Sequence, residues 1–320
     1  MRTRLLVIGG VAGGATAAAR ARRVSEEAEI TVVERGPYVS YANCGLPYFI
    51  GRDIDKRSKL LLQTPEGFAA RYRVTALAAL GMAMRYRGAV ATSVVKVFEA
   101  TAAMTGLSER AAREAGLDVG VAVIHKDHHA SYYPGGEPIS LKLVYERSTG
   151  RLLGAQGFGR AGVDKRIDVL ATALHGRMTL ADLSELDLAY APPYSSANDP
   201  VNLAAFAGQN DVSGFSPLIT AGQLARELAS PNPPLVLDVR TAAEWKRGYL
   251  SGAIHVPLDD LRGRLDSLPR GRRIAVHCHS GFRAHLAVRI LKERGIDAVV
   301  NVTGGFLSMR AEGGFAWEES

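Results

Sequence analysis

One stretch near the C-terminus constrains the fold more than any other. The apolar run Ile274 to His277 is followed by Cys278-His279-Ser280-Gly281-Phe282-Arg283 and then by a helix-periodic segment reaching Arg294. The run reads as a buried strand and the segment as a helix, so the cysteine occupies a tight strand-to-helix loop. Successive backbone N–H groups of such a loop point inward, and the helix adds the positive end of its dipole. Together they make a cradle suited to an anion on the Cys278 sulfur. Arg283 stands where it can fix the loop or bind an anionic sulfur donor.

At 320 residues the chain exceeds the usual size of a single core, which predicts two or three domains. With 47% hydrophobic and 22% charged residues, its composition is that of a folded chain. The only cysteines are Cys44 and Cys278, too few for a disulfide framework and in keeping with a reducing, cytoplasmic setting. Arg2, Arg4 and the small apolar residues up to Ala19 imitate a signal peptide, but four glycines at 9, 10, 13 and 14 point to a phosphate-binding turn instead. No apolar stretch is long enough to span a bilayer, so no membrane partner is expected. The excess of 39 Lys and Arg over 32 Asp and Glu gives +7, which suits an anionic ligand. Because those charges are dispersed, they read as a solvated basic surface and not as a nucleic-acid site. No metal site is expected.

The N-terminus has the order of an ADP-binding βαβ unit: a strand over 4–8, the turn Gly9 to Gly14, a helix over 13–24, and a strand from Glu29 to Glu34. Gly9 permits the tight turn, the helix N-terminus at Gly14 meets a pyrophosphate, and Glu34 can accept from ribose hydroxyls. The expected cofactor-binding set is Gly9, Gly10, Ala12, Gly13, Gly14, Glu34 and Arg35, with Val11 at the usual middle glycine. Further on, Ile139 to Gln156 reads as an antiparallel hairpin about Arg147 to Gly150, and helices are expected over Val163 to Leu174 and Leu180 to Leu186. Tyr190 to Pro200 reads as a Pro- and Ser-rich loop, and a boundary falls at Ser213 to Pro217. Strands are then expected at Leu235 to Val239 and Ala298 to Val302. Gly157 to Gly162 also fits G-x-G-x-x-G, but its preceding strand belongs to the hairpin, and no matched second strand with a terminal acid follows. It is not expected to bind a nucleotide.

Residues 38–48, YVSYANCGLPY, carry Cys44 ten residues beyond Glu34. Here residues 4–74 resemble the opening of the flavin-dependent pyridine-nucleotide disulfide oxidoreductases, specifically the coenzyme A disulfide or persulfide reductases, whose redox cysteine sits in S-[FY]-x-N-C-x-[LI]-P-Y. The resemblance implies that Cys44 forms a mixed disulfide or persulfide with substrate and receives electrons from FAD. It maps substrate contacts onto Thr16, Arg20, Arg23, Ser40 and Asn43, with the arginines suited to coenzyme A phosphates. From Tyr86 to about Asn210 the chain resembles the same family's dimerisation domain, through RYRGAVATSVVKVF, HHASYYPGG, GVDKRIDV and YAPPYSSANDPVN. This implies a homodimer in which Tyr132 and Tyr190 of one subunit serve the redox site of the other. Asn198 stands where the family often has a basic residue. There is no room between Val74 and Tyr86 for the nicotinamide-binding βαβ domain, and the flavin-contacting A-x-G-D occurs nowhere. The resemblance therefore implies weak or absent FAD binding, no NAD(P)H binding to this chain, and an impaired reductase step.

Residues 216–316 resemble a single rhodanese domain. LDVRTAAEWKRGYLSGAIHVP, at 237–257, carries Asp238, Arg240, Glu244 and Gly252, with Tyr249 and His255 where His and Asn are commoner. HCHSGFRA supplies catalytic Cys278 and Arg283, with His279, Ser280, Gly281 and Phe282 as substrate contacts. Cysteine phosphatases use a similar loop with five intervening residues, whereas four lie between Cys278 and Arg283. Met309 stands where an aromatic residue is usual.

The expectation is thus an α/β chain of three parts. These are a partial FAD-binding βαβ unit over 1–74, an α+β dimerisation domain over 75–212, and a rhodanese-like α/β domain over 213–320. Sulfane sulfur from a donor would be carried on Cys278 and delivered to a coenzyme A-type thiol or to Cys44. The alternative is a dimeric sulfurtransferase or sulfur carrier on a non-redox N-terminal scaffold.

Overall fold

A computed structural model describes residues 3–34, 39–73, 89–269 and 271–319. The chain divides into two compact units, Met1–Gly88 and Ala89–Ser320. Arg35, and the Val74 and Tyr86 positions that flank the expected break, lie outside the described residues.

The first unit begins with β1 (Arg4–Ile8), α1 (Ala12–Val24) and β2 (Glu29–Val33), and the two strands pair in parallel from Arg4 opposite Glu29 to Ile8 opposite Val33. This is the expected βαβ order. Small residues let α1 lie close to the strands: Ala15 and Ala18 are buried with Phe68, against Ile30 and Val32. Arg22, in the last turn of α1, donates to the carbonyls of Ser25, Ala28 and Tyr72 at 3.1, 2.9 and 2.7 Å. It thereby satisfies chain-end acceptors with a cation where the helix dipole favours one. Two short helices follow, α2 (Leu46–Ile50) and α3 (Pro65–Tyr72).

The second unit opens with β3 (Ser93–Val97), β4 (Ala100–Gly106), α4 (Glu109–Glu114), β5 (Val119–Asp127), β6 (Pro138–Glu146) and β7 (Leu152–Gly159). The strands form an antiparallel sheet in the order β3-β4-β7-β6-β5. The hairpin expected about Arg147 to Gly150 is β6 and β7. The second glycine motif therefore ends an antiparallel strand, and a side chain on its Gly159 would meet the backbone of Pro138 at 2.8 Å. A Cβ on Gly157 would meet Val163 at 3.0 Å, and Gly162 takes the left-handed conformation just before that residue.

Three helices cover this sheet: α5 (Val163–His175), α6 (Leu180–Ser184) and α7 (Pro200–Val212). Val163, Ile167, Leu170 and Ala173 of α5 are buried with Leu141, Leu143 and Ala155 of the sheet. Helix α7 is absent from the sequence-based expectations, because the Pro- and Ser-rich run before it obscures the Asp199–Pro200 start signal. Asp199 caps it, Pro200 occupies the first turn, and Asn202 closes a capping box.

The last part contains β8 (Leu218–Ile219), α8 (Ala221–Leu228), β9 (Leu235–Asp238), α9 (Ala242–Trp245), β10 (Tyr249–Leu250), β11 (Ile254–His255) and α10 (Leu261–Arg264). It continues with β12 (Ile274–His277), α11 (Phe282–Lys292), β13 (Val299–Val302), α12 (Gly305–Glu312) and β14 (Trp317–Glu318). Five of these strands form a parallel sheet in the order β11-β9-β12-β13-β8. Both faces are covered, as parallel sheets require. Leu237, Ile274 and Val276 face Val288 and Leu291, while Val236, Ala275 and Val302 face Leu224 and Met309. Met309 is fully buried, so the missing aromatic ring leaves a packed core.

Within the antiparallel part, Arg166 and Asp199 form an ion pair at 2.8 Å with side chains 1% and 2% exposed. Arg166 also donates to the carbonyl of His128 at 2.7 Å, and Asp199 accepts from Ser195 at 2.6 Å. Burial pushes the Asp199 carboxyl up, but Arg166 and Ser195 outweigh it and hold the group below the usual carboxylate range. Removing one partner leaves a buried charge uncompensated. Asp199→Ala is expected to cost about 3–5 kcal/mol in urea unfolding, and a loss within experimental error would contradict this account of the core.

Candidate active site

Strand β12 delivers Cys278 to the end of the parallel sheet, and α11 begins four residues later. The thiol is 1% exposed, and its Sγ accepts from the Gly281 N–H at 3.2 Å. The loop carbonyls are tied to the start of α12: Phe306 N–H donates to Cys278 O at 2.8 Å, and Leu307 N–H to His279 O at 3.1 Å. A peptide plane carries its carbonyl and the next N–H on opposite sides, so these bonds turn the following N–H groups away from α12. Gly305 makes the approach possible: it has φ +55°, and a Cβ there would lie 2.4 Å from Cys278 O. Asn301 steadies the far end of the loop by donating to Gly281 O at 3.2 Å.

Arg283 is held in a two-point ion pair, Nη1 to Glu244 Oε2 and Nη2 to Glu244 Oε1, both 2.7 Å. That pairing raises Arg283 above its ordinary value and pulls the Glu244 carboxyl down to about 2. Thr241 adds to it through the capping box of α9. Beneath the loop, Asp238 and Arg240 form a fully buried pair at 2.7 Å, and Arg240 also donates to Gly248 O at 2.9 Å. His277 is fully buried with Nε2 3.5 Å from Asp238; desolvation pushes it down and keeps it neutral, while the Asp238 charge opposes the shift. The two departures from the usual signature flank one ring: Trp245 stacks on Tyr249 at 4.0 Å and on His255 at 4.5 Å.

His279 is half-exposed, and burial moves it below its ordinary value. Phe282 is 70% exposed at the rim. A cavity of about 560 Å³ reaches the loop at Ser280, Gly281 and Phe282 from the side of β5 and α7, without touching Cys278.

In the antiparallel part, the hydroxyls of Tyr132 and Tyr190 meet at 2.9 Å, with both residues substantially exposed. Their loops are joined where Ala130 N–H donates to Ser195 O at 3.0 Å, beside the Arg166–Asp199 pair. The sequence reading missed this hub. Its signal was an arginine interrupting the apolar stripe of α5, and an Asp-Pro pair that marks a helix start.

In the first unit, Gly9 has φ +101° and Gly14 leaves no room for a side chain, since a Cβ would lie 1.6 Å from Gly9 O. Glu34 closes on this turn by accepting from the Gly10 N–H. Gly13 faces open space beside the N-terminus of α1, so the turn fits the pyrophosphate half of a dinucleotide. Cys44 is exposed in a short 3₁₀ turn, Asn43–Gly45. Its loop is anchored to the glycine turn by Ser40 N–H to Gly10 O at 2.8 Å, and to its neighbour by Ala42 N–H to Leu60 O at 2.9 Å. Thr16, Arg20 and Arg23 are exposed on α1 at spacings of four and three, which places them on one helical face.

Residues 92–200 match the pyridine nucleotide-disulphide oxidoreductase dimerisation domain, and residues 220–312 match the rhodanese-like domain. The chain joins the two, and it is similar to proteins in which they occur together. It superimposes on reduced Bacillus anthracis CoADR-RHD with a TM-score of 0.87 at 25% identity, covering 96% of this chain and 97% of that one. With a NAD-dependent persulfide reductase from A. fulgidus the TM-score is 0.64 at 39% identity, covering 75% of this chain and 43% of that one. Coenzyme A disulfide reductase of Staphylococcus epidermidis is 35% identical over 126 residues, 39% of this chain and 28% of the relative. The Staphylococcus aureus protein of the same name is 35% identical over 123 residues, 38% and 28%. The chain thus spans less than a third of the length of these curated reductases. Among the described residues no helix is long and apolar enough to cross a membrane.

Glu244 supplies a pH test. Its folded value, about 2, lies below the ordinary 4.5, so its contribution is complete above about pH 4.5 and is lost as pH falls towards 2. Glu244→Gln is expected to lower the melting temperature at neutral pH, and the gap from the unsubstituted protein should shrink as pH falls through that window. A gap that is independent of pH would rule out the ion pair as its source.

Proposed function

We propose that this protein is a sulfurtransferase of the reductase–rhodanese type, in which Cys278 carries sulfane sulfur. The reading is supported above all by the buried Cys278 Sγ, which receives the Gly281 N–H inside a loop closed by the Arg283–Glu244 pair. The Cys278 thiolate attacks the outer sulfur of a donor such as thiosulfate. One S–S bond forms, the donor's S–S bond breaks, and sulfite leaves with the electron pair. An acceptor thiolate then attacks the outer sulfur of the Cys278 persulfide, takes it, and restores the Cys278 thiolate. His279, Ser280, Gly281 and Phe282 line the approach, and Arg283 balances the anion.

The acceptor we favour is a coenzyme A-type thiol. Thr16, Arg20 and Arg23 on one face of α1 suit its phosphates, with Ser40 and Asn43 beside the exposed Cys44. Cys44 suits thiol exchange, in which its thiolate attacks a disulfide or persulfide and expels a thiolate. Gly9, Gly10, Ala12, Gly13, Gly14 and Glu34 would hold the ADP half of FAD, which, once reduced by an external reductant, would supply the two electrons for disulfide reduction. With that half alone engaged, flavin affinity is weak, and nicotinamide-driven turnover falls below that of a longer reductase. The Tyr132–Tyr190 pair, in a part that matches a dimerisation domain, favours a homodimer.

Thiosulfate-to-thiol sulfur transfer is expected to vanish in Cys278→Ser and to survive Cys44→Ala. Undiminished transfer in Cys278→Ser would overturn the assignment. Sedimentation is expected to give a dimer at micromolar concentration, and a monomer alone would refute that part.

A further inference from the structure

The rhodanese-like loop does not stand by itself; it is braced from the antiparallel sheet next to it. Thr303, at the end of β13, donates its hydroxyl to Val123 O of β5 at 3.1 Å and accepts from Val123 N–H at 2.7 Å. Two residues along β5, His125 bridges two hydroxyls, with Nδ1 to Ser140 at 2.8 Å and Nε2 to Ser308 at 2.9 Å. The Thr303–Ser308 turn is thus held from both sides by one strand of another domain.

That turn is the one that orients the Cys278 loop. Gly304 and Gly305 lie between the two braces, and Phe306 and Leu307 supply the N–H groups that fix the carbonyls of Cys278 and His279. There is no slack: a Cβ on Gly304 would lie 1.9 Å from Ser308 Oγ and 2.9 Å from His125 Nε2. Any shift of β5 therefore passes through Thr303 and Ser308 to the peptide planes around the sulfur.

We propose that His125 and Thr303 are positioning residues for Cys278, so that the dimerisation-like domain sets the reactivity of the sulfur-carrying loop. This rests on the reading of Cys278 as the sulfur carrier only for its functional meaning; the mechanical coupling stands on geometry. Burial, aided by the charge of nearby His279, pushes His125 down to about 4. It is accordingly neutral across the physiological range, with one ring nitrogen donating and the other accepting, as two hydroxyl partners allow. Arg283 and Glu244 in the loop's ion pair, and His277, Asp238 and Arg240 beneath the loop, keep their own partners when His125 or Thr303 is changed; His279 in the loop is coupled to His125 by charge, but at neutral pH, where His125 is uncharged, that influence is absent.

The test uses the full chain carrying Cys44→Ser, leaving Cys278 as the single thiol, and follows its alkylation by iodoacetamide across pH. His125→Ala and Thr303→Val are each expected to slow alkylation at neutral pH about tenfold and to move the midpoint of the profile up by about one unit. His125→Gln, which keeps a donor and an acceptor, should recover most of the rate. Leu170→Ala, in the core of the antiparallel part, should lower the melting temperature and leave the profile in place. If the two brace variants lose stability as Leu170→Ala does, with an unmoved alkylation profile, the proposal is overturned. If the profile moves while the unsubstituted protein transfers no sulfur, the coupling stands and the sulfurtransferase reading fails.

Discussion

Two hydrogen bonds, from the N–H groups of Phe306 and Leu307 to the carbonyls of Cys278 and His279, organise the candidate site. They are ordinary in strength, about 1 kcal/mol each, but they decide which way successive peptide dipoles face. Everything nearby serves that orientation. Gly305 allows the approach, Asn301 holds Gly281, and the braces from β5 hold the turn that supplies the donors.

The charged groups around the loop are paired, while the neutral His277 keeps its buried Nε2 without a hydrogen-bond partner. Arg283 meets Glu244 at two points, Arg240 meets Asp238 and two backbone carbonyls, and His277 stays neutral between Asp238 and the strand. Buried ions cost more to desolvate than a lone Coulomb contact returns, so each is surrounded by further hydrogen bonds. The Arg166–Asp199 hub obeys this rule too, and it holds the loops that present Tyr132 and Tyr190.

Much of this could be read in the sequence where local chemistry dictates structure. The glycine turn before α1, the hairpin of β6 and β7, and the strand–cysteine–helix order all carry short-range signals, and the structure has each of them. What escaped was long-range. The pairing of β3 and β4 carries no clear alternation, because every residue of β3 is exposed. The start of α7 was masked by prolines and serines, although the Asp199–Pro200 pair signalled it. The braces at His125 and Thr303 join residues about 180 positions apart, and no spacing rule reports such contacts. Tyr249 and His255 looked like losses from a signature, yet they stack on either side of Trp245.

The central claim is that Cys278, held in its braced loop, is the atom on which sulfur is carried. Peptide mass spectrometry of the protein after exposure to a sulfane sulfur donor tests it most directly. The account predicts one added sulfur atom on the peptide containing Cys278, removed when a thiol acceptor is supplied. Added sulfur found on the Cys44 peptide alone, or on neither, would contradict it.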